Sequence, residues 1–191
     1  MSLIIGIVGE NGGGKDSFAK AIAAHRTDLS VEAFKSSDIL LETLNIWNIP
    51  ASRKDFQALA VAMENTFGKG VLSRAMDARM RASKAAVVIF NGVRWESDVE
   101  VVRAFEHHML VYVTAESELR FEHLRGRGEK IDEVGMSYEQ FLQEEQAKTE
   151  AMIPQIGATA DVKIENNGTF EAFLGQARSF CDQFLTNDKI T

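Results

Sequence analysis

A glycine-rich stretch near the start of the chain carries the residue types that bind phosphate. It reads GENGGGKDS over residues 9–17, with the glycines and the lysine at the spacing of a phosphate-binding loop. Small residues let backbone N–H groups converge on an anion, and the lysine ammonium can reach the outer phosphates of a nucleotide. The residues predicted to bind a phosphorylated cofactor here are Gly9, Asn11, Gly12, Gly13, Gly14, Lys15, Asp16 and Ser17.

The residue after the lysine departs from the commonest form of this loop. That position usually carries serine or threonine, whose hydroxyl meets Mg²⁺, whereas this chain has Asp16 followed by Ser17. Hard cations prefer oxygen ligands, so Asp16 and Ser17 are candidate magnesium ligands, Asp16 either directly or through water. The alternative is that Asp16 only favours the positive end of the following helix.

A second candidate site follows the apolar run VVIF. The next residues are Asn91, Gly92, Val93 and Arg94. Phosphoryl-transfer enzymes often place an acidic residue near the metal at such a strand end, and Asn91 can hold a metal-bound water there but brings no charge. Arg94 offers a two-pronged fork to phosphate oxygens, so we expect it to bind an acceptor phosphate, the alternative being an ordinary surface arginine.

A third candidate site is the arginine-rich segment ELRFEHLRGRGEK. It carries Arg120, Arg125 and Arg127, and a continuing helix would place Arg120 and Arg127 on one face. Positive charges that close over a transferring phosphoryl group stabilise it and exclude water. Because acidic residues are interspersed, the segment can instead be a solvated helix with salt bridges.

Strands and helices alternate around these sites. Strands are predicted at 3–8, 31–34, 85–90, 109–114 and 161–165. Helices are predicted at 15–25, about 38–47, 54–66, 71–82 and 96–108, after Thr114 to about 124, from Ser137, and from about 169. This alternation predicts an α/β fold, a five-stranded parallel sheet flanked by helices.

The composition narrows the class of protein. The 191 residues carry 28 acidic and 21 basic side chains, a net charge of −7, which argues against binding to a nucleic acid polymer. No apolar run approaches the ~20 residues of a membrane span, so no membrane association is expected. The single cysteine excludes an internal disulfide, and the N-terminus lacks a basic start, so we expect a cytoplasmic protein.

Two of these motifs resemble those of a known family. The order Lys15-Asp16-Ser17 resembles the loop of phage-type deoxynucleoside monophosphate kinases, and a Lys-Asp pair also occurs in animal phosphomevalonate kinases. The run VVIFNGVR resembles the strand–Asp-Gly-x-(Pro)-Arg element of monophosphate kinases, whose arginine contacts the acceptor phosphate. The resemblance implies a P-loop NTPase fold in a single kinase domain over 1–191, with acceptor-binding helices at about 34–82 and a short lid at about 120–137.

Further stretches are similar to adenylate-kinase-related and dephospho-CoA-kinase-like enzymes. FKSSDILLETL resembles their strand-to-helix element, which implies that Asp38 lies near the acceptor, and SRKDFQALAVAMENTFGKGVL resembles their acceptor-covering helices, with Arg53 a ligand. ADVKIENNGTFEAF resembles the loop that holds adenine, which implies that Asn167 and its two neighbours face the base.

The implied activity is transfer of the γ-phosphoryl group of ATP, with Mg²⁺, to a small acceptor. A nucleoside or deoxynucleoside monophosphate is the first expectation, and dephospho-CoA or another small metabolite is the alternative. The predicted catalytic residues are Lys15, Arg94, Arg120 and Arg127. Two hypotheses of other classes are a P-loop NTPase that hydrolyses its nucleotide and a protein that binds nucleotide without catalysis.

Overall fold

The centre of the molecule is strand β1, Leu3–Val8, whose six residues are all buried. Every side chain of LIIGIV is apolar or glycine, as a strand covered on both faces requires. In this computed structural model, β1 pairs in parallel with one strand on each side. The structure describes residues 2–50, 52–127, 136–146 and 151–186, with only the backbone at 53, 54 and 127.

Four more parallel strands and nine helices surround β1 in the described residues. The strands are β2 (Val31–Phe34), β3 (Val87–Val93), β4 (His108–Thr114) and β5 (Val162–Glu165), in the spatial order β2-β3-β1-β4-β5. The helices are α1 (Lys15–His25), α2 (Ser36–Ile46), α3 (Arg53–Phe67), α4 (Val71–Ala82), α5 (Glu96–Arg103), α6 (Ser117–Arg127), α7 (Tyr138–Glu145), α8 (Ile153–Gly157) and α9 (Phe170–Phe184). The predicted α/β fold with a five-stranded parallel sheet is confirmed.

Helices cover the sheet on both faces, giving two apolar cores. On one face α1 and α9 pack together, with the Phe18 and Phe180 rings 5.2 Å apart in an edge-to-face arrangement. On the other face Met76 of α4, Val102 of α5 and Ile153 of α8 are fully buried against the sheet. Each large apolar side chain removed from water contributes about 1.5–3 kcal/mol, so both helical layers stabilise the sheet.

The largest difference from the predicted elements lies between β3 and β4. The helix predicted to run to residue 108 ends at Arg103, and His108 opens β4 instead. This segment joins the sheet instead of the helix, because the Ile4 N–H donates to the His107 carbonyl at 2.9 Å. An imidazole nitrogen of His108 also lies 2.7 Å from the Phe105 carbonyl. Strand β3 also extends beyond the predicted residue 90, and α8 was not predicted.

The carboxyl ends of all five strands meet at one edge of the sheet, as parallel pairing dictates. Strand β1 leads into the glycine-rich loop, and β3 ends beside it, because Ile7 and Val8 pair with Asn91 and Val93. Gly92 is the extra residue of this irregular pairing and has φ 103°. Ligands of open α/β sheets bind at this edge. None of the helices in the described residues has the length and apolar character needed to span a bilayer.

Candidate phosphate-transfer site

The glycine-rich loop wraps around the ammonium group of Lys15. Lys15 Nζ donates to the carbonyls of Gly9 at 2.7 Å and Glu10 at 2.8 Å, so the lysine lies along the loop from which α1 begins. Gly12 has φ 78°, and a Cβ there would lie 2.3 Å from the Arg120 carbonyl oxygen. The loop therefore requires glycine at this position for both its backbone conformation and its closeness to α6.

A carboxylate that the sequence analysis did not select anchors the loop to β4. Glu10 accepts hydrogen bonds from the Tyr112 hydroxyl and from Thr114 Oγ1, the latter at 2.8 Å. Burial and the neighbouring Glu10 carboxylate raise the pKa of Tyr112 to about 12. Tyr112 and Thr114 alternate along β4 and so lie on one face of it. Two hydroxyl side chains spaced two residues apart on one strand are the signal in the sequence that could have indicated a shared carboxylate partner such as Glu10.

Two more side chains hold the carbonyls of the loop. An imidazole nitrogen of His123 on α6 lies 2.9 Å from the Gly12 carbonyl, and Asn166 Nδ2 donates to the Gly13 carbonyl at 3.3 Å. Asn166, in the loop between β5 and α9, is therefore in contact with the phosphate loop. The Asn167 side chain instead accepts from the Glu116 N–H at 2.8 Å, and its contact with a nucleotide base stays a prediction.

The two unusual residues of the sequence, Asp16 and Asn91, lie in contact. Asn91 Nδ2 donates to Asp16 Oδ1 at 2.6 Å, and the Lys35 ammonium lies 2.7 Å from the same oxygen. Burial raises the pKa of the Asp16 carboxyl, but the hydrogen bond and charge of Lys35, with the Asn91 bond, outweigh burial and hold that pKa below its usual value. Asp16 is therefore an anion at neutral pH, held where β1, β2 and β3 end.

This contact fits a magnesium ion shared with a nucleotide. The Asp16 carboxylate supplies oxygen atoms here, the Asn91 amide group lies beside it, and Ser17 follows in the first turn of α1. No three histidine, cysteine, aspartate or glutamate side chains cluster as a metal cage anywhere in the described residues. Mg²⁺ usually takes only one or two carboxylates from the protein and the rest of its ligands from phosphates and water.

A buried aspartate fixes the backbone at the predicted acceptor ligand, Arg94. Asp98 is 2% exposed, and its Oδ2 accepts from the backbone N–H groups of Arg94 at 2.9 Å and Trp95 at 3.2 Å. Its Oδ1 accepts from Ser73 Oγ of α4 at 2.6 Å. Burial raises the pKa of the Asp98 carboxyl, while the Ser73 bond and the two backbone bonds oppose that rise. Asp98 thus ties the end of β3 to α4.

The structure shows no contact that assigns the other two predicted acceptor ligands, Asp38 and Arg53, to an acceptor in the described residues. Asp38 Oδ2 accepts from the Lys35 N–H at 2.8 Å, which is the helix-capping contact expected in the first turn of α2. Its role toward an acceptor stays a prediction. The side chain of Arg53 lies outside the described residues.

The predicted lid arginines differ from one another. Arg120 is 7% exposed, and its Nε donates to the Ala115 carbonyl at 2.9 Å while its guanidinium pairs with Glu145 of α7. These contacts favour the salt-bridged alternative for Arg120, and its role toward phosphate stays a prediction. Arg125 lies 5.7 Å from the centre of the Phe121 ring. The side chain of Arg127 and residues 128–135 of the predicted lid lie outside the described residues.

Comparison with known proteins agrees with the fold and leaves the activity open. No family model matches the chain. It is 25% identical over 190 residues to a UPF0200 protein of Pyrococcus horikoshii, covering 97% of this chain and 99% of that one. It is 26% identical over 187 residues to a UPF0200 protein of Sulfurisphaera tokodaii, covering 97% of this chain and 100% of that one. Neither name states an activity.

Solved structures of similar fold include small-molecule kinases. The protein TT1252 from Thermus thermophilus superposes with a TM-score of 0.66 at 18% identity, covering 97% of this chain and 99% of that one. Shikimate kinase from Bacteroides thetaiotaomicron gives 0.62 at 13% identity with 96% and 98% covered, and a gluconokinase from Sinorhizobium meliloti gives 0.59 at 14% identity with 95% and 92% covered. The chain has a P-loop kinase-like fold.

Proposed function

We propose that the protein is a kinase that transfers the γ-phosphoryl group of ATP to the phosphate of a small acceptor, a nucleoside or deoxynucleoside monophosphate. The observation that carries the proposal is the contact of Asp16, at the end of the phosphate loop, with Asn91, three residues before Arg94. The residues proposed to bind the donor nucleotide and the acceptor phosphate therefore follow strands that end at one edge of the sheet.

Each group has a distinct role in this proposal. Lys15 and the amides of residues 9–14 bind the donor phosphates, and Arg94 binds the acceptor phosphate through its planar fork. Asp16 and Asn91 would hold Mg²⁺, which in phosphoryl transfer neutralises charge on the phosphates. Catalysis then consists of positioning and charge stabilisation, since a phosphate oxygen is already a competent nucleophile.

The state of the carboxylates supports a phosphate acceptor over a hydroxyl acceptor. A hydroxyl would need a general base, and the pKa of Asp16 is held below its usual value by Lys35 and Asn91 despite burial, which makes it a weak base. Asp38, the carboxylate predicted to lie near the acceptor, already accepts a backbone hydrogen bond. The second candidate function is a kinase with a hydroxyl acceptor, which is favoured by the similar folds of the proteins named shikimate kinase and gluconokinase.

The test is an acceptor screen that follows ADP formation. The protein is incubated with ATP and Mg²⁺ and with each nucleoside and deoxynucleoside monophosphate, dephospho-CoA, shikimate or gluconate. ADP release that requires one monophosphate supports the proposal, and release that requires a hydroxyl acceptor favours the second candidate. Release without any acceptor indicates a hydrolysing NTPase. Tight ATP binding with no ADP from any mixture indicates binding without catalysis.

Two variants and a matched control assign the activity to this site. Lys15→Ala and Arg94→Ala are each expected to reduce acceptor-dependent turnover at least about a hundredfold, because each removes a charge from the transferring phosphates. Lys20→Ala also removes one positive charge, but from an exposed position on α1, and is expected to leave turnover unchanged. Equal losses in all three variants would contradict the assignment.

A further inference from the structure

The ion pair between Lys35 and Asp16 joins two halves of the site that the sequence analysis treated separately. Asp16 lies in the first turn of α1, whereas Lys35 directly follows β2 and precedes α2 in the predicted acceptor region. The Lys35 ammonium lies 2.7 Å from Asp16 Oδ1, and the two side chains are 42% and 37% exposed. Solvent and small ligands therefore reach both charged groups.

The two partners have competing uses. A carboxylate that binds a divalent cation cannot at the same time keep an ammonium group on the same oxygen, because the two positive charges repel each other. An ammonium group held by a carboxylate is likewise a poorer ligand for another anion. Formation of either complex therefore favours separation of the Lys35–Asp16 pair.

The surroundings allow the pair to separate without disturbing the fold. Asn91 Nδ2 lies 2.6 Å from Asp16 Oδ1, so the carboxylate has a second hydrogen-bond partner in the protein besides Lys35. The Lys35 backbone is fixed by its N–H bond to Asp38 Oδ2 at 2.8 Å, while its side chain is a flexible four-carbon stem with a compact charge. The ammonium can move several ångströms while the start of α2 stays in place.

We propose that Lys35 is an acceptor ligand that Asp16 holds until Asp16 binds the magnesium of the donor nucleotide, after which the Lys35 ammonium binds the anionic group of the acceptor. The inference rests on the proposed function and adds a residue that discriminates in favour of negatively charged acceptors. It also couples the two sites. Donor binding releases Lys35 for the acceptor, and by thermodynamic linkage acceptor binding releases Asp16 for the donor.

The first arm of the test measures donor binding by isothermal titration calorimetry. Lys35→Met is expected to tighten binding of Mg²⁺–ADP about two- to fivefold, the range for release of an exposed ion pair, because Asp16 no longer has a competing cation. The tightening is expected with Mg²⁺–ADP and not with ADP in EDTA. Lys20→Met removes the same charge from an exposed part of α1 and should change neither affinity. Unchanged or weaker Mg²⁺–ADP binding in Lys35→Met would overturn the proposal.

The second arm measures acceptor binding. Nucleoside monophosphates are titrated into the Mg²⁺–ADP complexes of the wild type, Lys35→Met and Lys20→Met. The loss of a charge-assisted hydrogen bond is expected to weaken binding about tenfold or more in Lys35→Met alone. Equal affinity in all three proteins would overturn the role of Lys35. Binding of no monophosphate to the wild type would instead contradict the proposed acceptor, and the first arm would still decide whether Lys35 competes for Asp16.

Discussion

Removal of the Asp98 carboxylate should disconnect Arg94 from the sheet edge. In Asp98→Ala the N–H groups of Arg94 and Trp95 lose their side-chain acceptor, and the Ser73 hydroxyl keeps only Ser97 Oγ, 2.8 Å away. A buried donor left without a partner costs about 1–3 kcal/mol. Because both N–H groups are only partly buried and can recruit water, we expect a total loss of about 2–4 kcal/mol in the free energy of unfolding.

The matched variant is Asp98→Asn, which keeps the shape and most of the hydrogen bonds. Its amide oxygen can accept from Arg94 and Trp95, while its NH₂ group donates to Ser73, so we expect a stability within about 1 kcal/mol of the wild type at pH 7. The pKa of Asp98 is raised in the folded protein by burial, so its contribution to stability is largest below the unfolded pKa and is lost as pH rises through the folded pKa. Asp98→Asn should therefore gain stability relative to the wild type as pH rises above about 4.

Urea denaturation at several pH values measures these differences, and thermal unfolding gives a second estimate at about 2–4 °C for each kcal/mol. In the acceptor assay Asp98→Ala should lower kcat/KM for the acceptor about tenfold or more, since a small displacement of Arg94 misplaces its guanidinium. If Asp98→Asn is as unstable and as inactive as Asp98→Ala, the negative charge of Asp98 rather than its hydrogen bonds stabilises the end of β3 against α4. If Asp98→Ala loses less than about 1 kcal/mol, the reasoning from buried donors is wrong.

Two further predictions concern the phosphate loop. Gly12→Ala should destabilise the protein by about 2–4 kcal/mol and abolish nucleotide binding in calorimetry, because φ is 78° and the new Cβ meets the Arg120 carbonyl. The control is Gly175→Ala, in the open interior of α9, which should stabilise the protein by about 0.5–1 kcal/mol. A loss of stability in Gly175→Ala equal to that in Gly12→Ala would contradict this reasoning. Glu10→Gln should lower the pKa of Tyr112 from about 12, because one of the two causes of its rise is removed while burial remains. The absorbance of tyrosinate measures this pKa, and an unchanged value would mean that burial alone raises it.

The sequence predicts the fold well because each element has a local cause. The apolar run of β1, the helix-forming residues of α1 and the predicted start of a helix at Ser137 all depend on a few neighbouring residues. The structure confirms all three, with Ser137 as the N-cap of α7. The end of α5 was predicted too late, because the apolar period of residues 96–108 continues into β4 and only pairing with β1 decides where the strand begins. A local sequence pattern is not enough to predict an element boundary where the same residues can either extend a helix or pair with a strand.

The site is predictable only in part for a related physical reason. Residues that act through backbone motifs, such as the loop at 9–17, are recognisable from spacing alone. Lys35, Asp98 and Glu10 act through partners distant in the sequence, Lys35 with Asp16, Asp98 with Ser73 and Glu10 with Tyr112. Each of these three looks like an ordinary charged residue at the end of an element until the topology brings the partners together.

The contact between Asp16 and Asn91 accounts for both departures from the usual pattern with one physical cause. The Asn91 amide nitrogen lies 2.6 Å from the Asp16 carboxylate. Had residue 91 been the usual aspartate, two carboxylates would meet at this distance, and like charges so close keep one of them protonated. An amide at 91 removes that repulsion and donates a hydrogen bond instead. In the proposed function, the negative charge near Mg²⁺ would come from α1 rather than from β3. The unusual aspartate and the unusual asparagine are then explained together, as a pair.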